Sequence, residues 1–157
     1  MININKIKLS EINEIEQIGK TCLPIYYSSF DLIFLLYEHN FYLFKITENN
    51  KIVGFIIAEK KFNTIQEELD NNENKNQVKR CHIMSIAVLP EYRKKGYATQ
   101  LIKHLRENCN MKMSLYVLTT NESAIKLYEK NGFVKQFEDK NYYTTLPTKS
   151  AFYYETN

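Results

Sequence analysis

"PEYRKKGYATQLI", residues 90–102, decides how this chain is read. A run rich in β-formers, "RCHIMSIAVL" (80–89), stops at Pro90, and beyond the turn Ala98, Leu101, Ile102 and Leu105 recur at i, i+3, i+4 and i+7, the spacing of one helix face. The stretch therefore predicts a strand, a basic turn and a helix that begins near Gly96. A junction of this kind aims unpaired backbone N–H groups and the positive helix end at one point, which suits a phosphate. Gly96 permits close approach, small Ala98 keeps the space beside it clear, and Arg93, Lys94 and Lys95 add positive charge. A solvated basic turn is the other reading of the same residues. "GKT" at 19–21 is no P-loop, because Glu14 stands where that motif needs its first glycine. No G-x-G-x-x-G dinucleotide fingerprint occurs either.

Working outward, "INKIKL" (4–9) reads as a short strand and "SEINEIEQIGKTC" (10–22) as a helix capped by Ser10, with Ile12, Ile15 and Ile18 along one face. A second helix falls within "SSFDLIFLLYEHN" (28–40), and "FYLFKITENNKIVGFIIAEK" (41–60) reads as a hairpin turning at Glu48, Asn49 and Asn50. Downstream, "KMSLYVLTT" (112–120) is a strand, "NESAIKLYEKNGF" (121–133) a helix ended by Gly132, and the Tyr-rich tail supplies closing strands. Strands alternating with helices, with hairpins at both ends, make a mixed-sheet α/β domain. Residues 62–79, polar and Asn-rich without sustained periodicity, are expected to form a mobile insert.

A chain of 157 residues suits a single domain over 1–157. The net charge of +3 permits an anionic ligand and falls short of a dedicated nucleic-acid binder, so no specific nucleic-acid partner is expected. Cys22, Cys81 and Cys109 show no CxxC spacing and leave one over, which supports neither a metal site nor a disulfide framework and points to a reducing setting. The opening "MININKIKLSEINEIEQIG" has no apolar h-region, and no stretch has the length of a membrane span. A cytoplasmic protein, also nuclear, with no membrane partner is the expectation. Taken alone, Tyr142 and Tyr143 read as edge-strand packing, Met84 as core and Tyr128 as a buried phenol.

"RKKGYA" (93–98) matches the R-x-x-G-x-G/A pyrophosphate signature of the GNAT acetyltransferases, and "NESAIKLYEKNGF" resembles the helix that follows in that family. The resemblance covers most of the chain apart from the insert. It is strongest to the protein N-alpha-acetyltransferases of the NatE catalytic-subunit type, whose F-P-V-x-Y loop "LPIYYSSF" (23–30) looks like and whose Tyr-Tyr loop "NYYTTLP" (141–147) looks like. It implies a single GNAT domain with a mixed, largely antiparallel sheet splayed between two parallel strands and flanked by helices. It implies acetyl-CoA, with no metal, its pantetheine along Ile86, Ala87 and Val88 and its pyrophosphate at Arg93, Lys94, Lys95, Gly96, Tyr97, Ala98 and Thr99. Asn121 would touch the cofactor, and Tyr128 would stand near the thioester sulfur. Protein or peptide N-termini would be the substrate: Tyr27, Tyr142 and Tyr143 would hold their backbone beside Pro24, and Leu23, Met84 and Leu146 would line the first side-chain pocket. An auxiliary N-acetyltransferase subunit is a candidate partner.

In one respect the chain departs from these relatives. Where they carry a catalytic Tyr before the pyrophosphate loop it has His82, and where they carry the partner His on the next parallel strand it has Tyr116. An imidazole near pKa 6.5 is a better base at neutral pH than a phenol near 10, so His82 is expected to take the amine's proton and Tyr116 to orient it. A small-molecule amine or a lysine side chain is the alternative substrate, and a non-catalytic acyl-CoA-binding module the third reading. For the insert, replacing residues 64–76 with a short Gly/Ser turn should preserve fold and activity, since loop length changes closure entropy by only about 0.6 kcal/mol per doubling. Circular dichroism and an acetyl-transfer assay check this, and a collapse of either would show that the segment orders against the domain or its substrate.

Overall fold

The computed structural model describes residues 1–61 and 80–157, so the expected insert at 62–79 lies outside the described residues. In chain order the elements are β1 (Ile2–Lys6), α1 (Ile12–Cys22), α2 (Ser29–Tyr37), β2 (Phe41–Glu48), β3 (Lys51–Lys61), β4 (Arg80–Val88), α3 (Tyr97–Cys109), β5 (Lys112–Leu118), α4 (Glu122–Lys130), β6 (Phe133–Asp139) and β7 (Ala151–Thr156). The strands form one sheet in the order β1-β2-β3-β4-β5-β7-β6. Every neighbouring pair is antiparallel except β4 and β5, which is the mixed, largely antiparallel sheet expected. No helix among the described residues is long and apolar enough to cross a membrane.

Local chemistry accounts for most of the boundaries. Asn49 and Asn50, with φ of 50° and 67°, make the two-residue turn between β2 and β3, and two left-handed residues there match the twist of the paired strands. At the start of α2, Ser28 accepts from the Asp31 amide at 3.2 Å while Asp31 accepts from the Ser28 amide at 3.2 Å, a reciprocal cap. The start of α1 differs from expectation. A 3-10 turn spans Leu9–Glu11, so Ser10 falls inside it and makes no cap bond. Glu11 tightens this entrance, accepting from the Lys8 amide at 2.8 Å.

Both faces of the sheet are covered. Under α3, the fully buried Leu101, Ile102 and Leu105 meet Ile56, Ile83 and Leu115. On the other face, Ile12, Ile15 and Ile18 of α1 and Leu32 and Leu35 of α2 meet Leu43, Phe55 and Ile57. This two-sided burial explains why β3 is apolar almost without interruption. Along β5 the pattern is different: Met113, Leu115 and Val117 enter the core beneath α3, so Ser114 and Tyr116 must project from the opposite face.

Two features shape the end of β4. Ile57 pairs with Ser85 and Ala58 with Ile83, which leaves Met84 as the extra residue of a bulge. The bulge shifts the alternation by one residue: odd-numbered Cys81 and Ile83 belong to the α3 core before it, and even-numbered Ile86 and Val88 beyond it. Gly54, on β3, lets the strand after the bulge come close. A Cβ built there would stand 2.6 Å from the Ala87 carbonyl oxygen and 3.1 Å from a Val88 methyl. Backbone cannot yield as a flexible side chain can, so Gly54→Ala should cost about 1–3 kcal/mol, the range of an overpacked core. Thermal denaturation should show the lowered midpoint, and an unchanged midpoint would mean that β4 shifts freely.

Candidate active site

β4 and β5 pair only over residues 80–83 and 112–115. Beyond Ile83 and Leu115 the two strands part, and a cavity of about 1310 Å³ opens between their edges. Ile86, Ala87 and Val88 line it from β4, and Tyr116, Val117 and Leu118 from β5. Parallel strands that separate leave backbone N–H and C=O groups without ladder partners, and an extended ligand carrying its own amides can satisfy them.

At one mouth of the cavity lies the stretch read first. Val88 O accepts from Arg93 Nε at 2.9 Å, which folds the turn back on the strand it leaves. Lys94 and Gly96 take left-handed backbone angles, φ 62° and 81°, to bring the chain into α3. The Gln100 amide donates to Gly96 O at 3.0 Å, and the amides of Tyr97, Ala98 and Thr99 precede the first helical bond and open to the cavity. A Cβ on Gly96 would meet nothing within 4 Å. The glycine is thus required by its backbone angle, and the open space above it fits a pyrophosphate drawn to three amides and a helix end. Arg93 and Lys94 line this space. Lys95 does not, because Glu48 holds it at 3.2 Å. The Tyr97 hydroxyl donates to the same carboxylate, and its ring is 4% exposed, so Tyr97 contributes its amide here and anchors the helix with its side chain.

On α4, Asn121 caps the helix, its Oδ1 accepting from the Ala124 amide and from Ser123 Oγ, each at 3.3 Å, which leaves its NH2 for the cavity. Tyr128 packs edge-on against Phe133 with ring centroids 5.8 Å apart. Its ring is buried, it lines the cavity, and its hydroxyl has no hydrogen-bond partner among the described residues. Burial raises its pKa well above the usual phenol range, so Tyr128 is a fixed donor at neutral pH.

His82 sits at the point where the strands part, 7% exposed. Burial, and after it the charge of Lys61, pushes its pKa down to about 4. The sequence alone assigned an imidazole that titrates near neutrality; the structure makes it a neutral one. Its Nδ1 lies 2.8 Å from Ser114 Oγ. Tyr116 stands beside it, ring centroids 5.8 Å apart, without a hydrogen bond between the two among the described residues. The ring of Tyr116 stacks instead on Tyr142 at 4.0 Å and 17°. Tyr143 meets Tyr142 edge-on at 4.8 Å, and its amide donates to Lys149 O at 2.9 Å. These contacts fasten the β6–β7 loop over the other mouth of the cavity.

Across that mouth Leu23, Pro24 and Tyr27, between α1 and α2, complete the lining together with Met84 at the bulge. Leu146 lies in the β6–β7 loop outside the lining. Three residues that the sequence did not single out belong here. Glu59 and Lys61 stand in register with His82 and Arg80 across β3 and β4 and line the cavity. Ser114 stands in register with His82 across β4 and β5. The signal for Ser114 was a small polar residue between Met113 and Leu115 of the core, two residues from Tyr116 and hence on the same face.

The arrangement offers a backbone-lined slot with an anion cradle at one end, an aromatic-walled mouth at the other, and a neutral imidazole and a protonated phenol between. An N-alpha-acetyltransferase of Saccharolobus solfataricus (strain ATCC 35092 / DSM 1617 / JCM 11322 / P2) is 32% identical over 147 residues, covering 89% of this chain and 84% of that protein. Arabidopsis thaliana NAA60 in complex with acetyl-CoA superposes with a TM-score of 0.86 at 19% identity, over 99% of this chain and 97% of that one. Arabidopsis thaliana Naa50 in complex with the bisubstrate analogue CoA-Ac-MVNAL does so with a TM-score of 0.81 at 20% identity, over 99% and 98%. Likeness at such identity speaks for the fold. The sequence signature of the acetyltransferase (GNAT) family matches residues 10–133, most of the chain, and the protein belongs to that family.

Proposed function

We propose that the protein transfers the acetyl group of acetyl-CoA to the α-amino group of protein or peptide N-termini, with a retained Met followed by an apolar residue preferred. The observation that carries this reading is the two-mouthed cavity, with free helix amides at one end and Tyr27, Tyr142 and Tyr143 at the other. Curated relatives that cover most of the chain bear the name N-alpha-acetyltransferase. Acetyl-CoA, when bound, supplies a thioester carbonyl and a thiolate leaving group. The amides of Tyr97, Ala98 and Thr99 would hold its pyrophosphate, and the open edge of β4 at Ile86, Ala87 and Val88 its pantetheine.

Transfer is direct, in a ternary complex: the amine nitrogen bonds to the acetyl carbon, the carbon–sulfur bond breaks, and no acyl-enzyme intervenes. Neutral His82, itself or through a water, accepts the proton that the amine loses. Its basicity need only be modest, because an α-amino group has pKa about 7.7 to 8.0 and is partly free at pH 7, and positioning supplies much of the acceleration. Tyr128, with its raised pKa, acts on the departing sulfur as a hydrogen-bond donor rather than as a full acid. A cytoplasmic setting, with the nucleus, belongs to the same proposal and rests on three unpaired cysteines; an auxiliary subunit is a further candidate partner, on the family resemblance.

Because His82 stays neutral through the physiological range, kcat/KM should rise with pH as the substrate amine deprotonates, with one inflection near about 8 and none from His82. His82→Phe should lower the plateau by about a hundredfold and leave that inflection in place. An inflection that vanishes with His82 would mean that the imidazole titrates near neutrality, and an unaltered plateau would move the base elsewhere.

Leu23 and Met84, both half-buried against the α1 core, offer an apolar slot in which flexible Met accommodates an unbranched side chain. A second apolar residue on the substrate would lie against the tyrosine rings, whereas an acidic one would be desolvated. Burying one more large apolar side chain is worth about 1.5–3 kcal/mol, so Met-Leu peptides should exceed Met-Glu peptides in kcat/KM by about ten- to a hundredfold. Initial rates on Met-Leu, Met-Ala, Met-Glu and Ser-Glu peptides, on an internal-lysine peptide with a blocked N-terminus, and on spermidine make the test. Faster reaction of spermidine or the lysine peptide than of every methionine N-terminus would replace this reading with the small-amine or lysine one.

A further inference from the structure

On the face of the sheet that carries His82, the α1–α2 layer stops short of the last three strands. Its core takes Leu43, Ile52, Phe55, Ile57 and Ala87 from β2, β3 and β4, and no residue of β5, β7 or β6 among the described residues. Over those three strands the same face shows aromatic rings instead. Tyr116 of β5 has its ring centroid 4.0 Å from Tyr142, 4.9 Å from Tyr153 of β7 and 6.4 Å from Phe137 of β6, and Phe137 stacks on Tyr153 at 4.8 Å. Phe137 is 49% exposed and Tyr142 40%. The uncovered face of an edge strand ordinarily carries polar side chains. A half-bare Phe within a run of four neighbouring rings is thus a patch, not a scattered apolar residue.

The patch is continuous with the cavity. Tyr116 and Tyr142 line it and Phe137 and Tyr153 do not, so the rings begin inside the acceptor mouth and run outward over β7 and β6. An α-amine that reaches His82 ends a chain whose next residues leave by this mouth. From the His82 ring to the Tyr116 ring is 5.8 Å, and from there to Phe137 6.4 Å; an extended chain, at about 3.3 Å per residue, covers the two steps in about four residues. Phe137 therefore comes within reach of the third and fourth side chains of a bound peptide. Asp139, two residues further along β6, lies on the same side of the strand and sets a carboxylate at the rim, which disfavours an acidic side chain there.

We propose that Tyr116, Tyr142, Phe137 and Tyr153 form an apolar ledge that receives the third and fourth residues of the substrate chain, so that Phe137 is a specificity-determining residue and N-termini apolar through their fourth residue are preferred. The inference rests on the function proposed above and extends it beyond the first two residues. The occupant is the substrate itself because the ledge has no border with the acceptor mouth: a chain held there by its N-terminus lies across the rings and takes their exposed surface out of water. Contacts so far from the thioester are made equally before and during transfer, so the ledge acts on KM for the peptide and not on kcat.

Initial rates of the full chain at saturating acetyl-CoA, on Met-Leu peptides that differ only at residues three and four, make the test. Against Gly-Ser at those positions, Phe-Leu should raise kcat/KM about tenfold through KM, with kcat within about twofold, and Glu-Glu should lower it. Phe137→Ser should bring the Phe-Leu peptide down to the level of the Gly-Ser one while leaving the Gly-Ser rate within about twofold, and Phe137→Leu should restore the preference. A peptide with benzoylphenylalanine at its fourth position should cross-link to β6 or β7. Wild-type rates indifferent to residues three and four overturn the inference, and so does a preference that survives Phe137→Ser. Cross-links confined to Ile25 and Tyr26, in the α1–α2 segment across the mouth, overturn it too. A dimer in sedimentation that Phe137→Ser dissociates would give the ledge to a second copy of the chain, with the same consequence. If Phe137→Ser fails to fold, the wild-type series and the cross-link decide. Faster acetylation of spermidine than of every methionine peptide would remove the function proposed above and this inference with it, whereas methionine peptides acetylated at one rate whatever follows the Leu would remove the inference alone.

Discussion

The separation of β4 from β5 after Ile83 and Leu115 is the constraint on which the site depends. A pair of buried parallel strands gains by continuing its ladder, because each unpaired buried amide or carbonyl costs free energy comparable to a lost hydrogen bond. Keeping these strands apart therefore needs forces elsewhere. The bulge at Met84 bends β4 away from its partner while β3 stays paired with it, and Gly54 lets Ala87 press against β3. Arg93 takes up the Val88 carbonyl at the strand's end. On the other side, Tyr116 stacks on Tyr142 and meets Tyr153 with ring centroids 4.9 Å apart, which holds β5 to β7 and to the loop before it.

From the gap follows the electrostatic character of the centre. The groups at its floor and wall are shielded by core on one side and face a largely apolar slot on the other, so burial favours their neutral forms. His82 loses its proton and Tyr128 keeps its own. A base and a hydrogen-bond donor coexist at neutral pH through opposite responses to the same environment, since neutrality means deprotonated for an imidazole and protonated for a phenol.

The junction at Pro90 to Ile102 was legible because three independent signals coincide there: a β-rich run ending at a proline, basic residues before a glycine, and helical spacing after it. α1 was legible from Ile12, Ile15 and Ile18, all buried, though its first turn was not. The choice between Ser10 and Glu11 depends on a backbone angle rather than on residue type. His82 and Tyr116 could be singled out from the sequence, but the ionisation of His82 could not, because that follows from burial beneath elements distant in the chain. The place of Ser114 beside His82 was not legible for a related reason: it comes from cross-strand register, and register across a parallel pair is written in no single segment. Leu146 was named by resemblance alone, and its place outside the cavity lining follows from the path of an irregular segment, which is fixed by its own contacts, here those of Tyr142 and Tyr143.

The gap also has a mechanical aspect. Its two mouths are faced by different elements, one by the start of α3 and the other by the α1–α2 segment and the β6–β7 loop, yet both share the same two diverging strand edges. Strand separation is thus a single coordinate common to two binding events. A donor that prefers a particular separation biases the width presented to the acceptor, and by thermodynamic reciprocity the acceptor returns the same bias to the donor. Heterotropic cooperativity between the two ligands, positive where their preferred widths agree and negative where they differ, is therefore inherent in a site made from one wedge in a sheet.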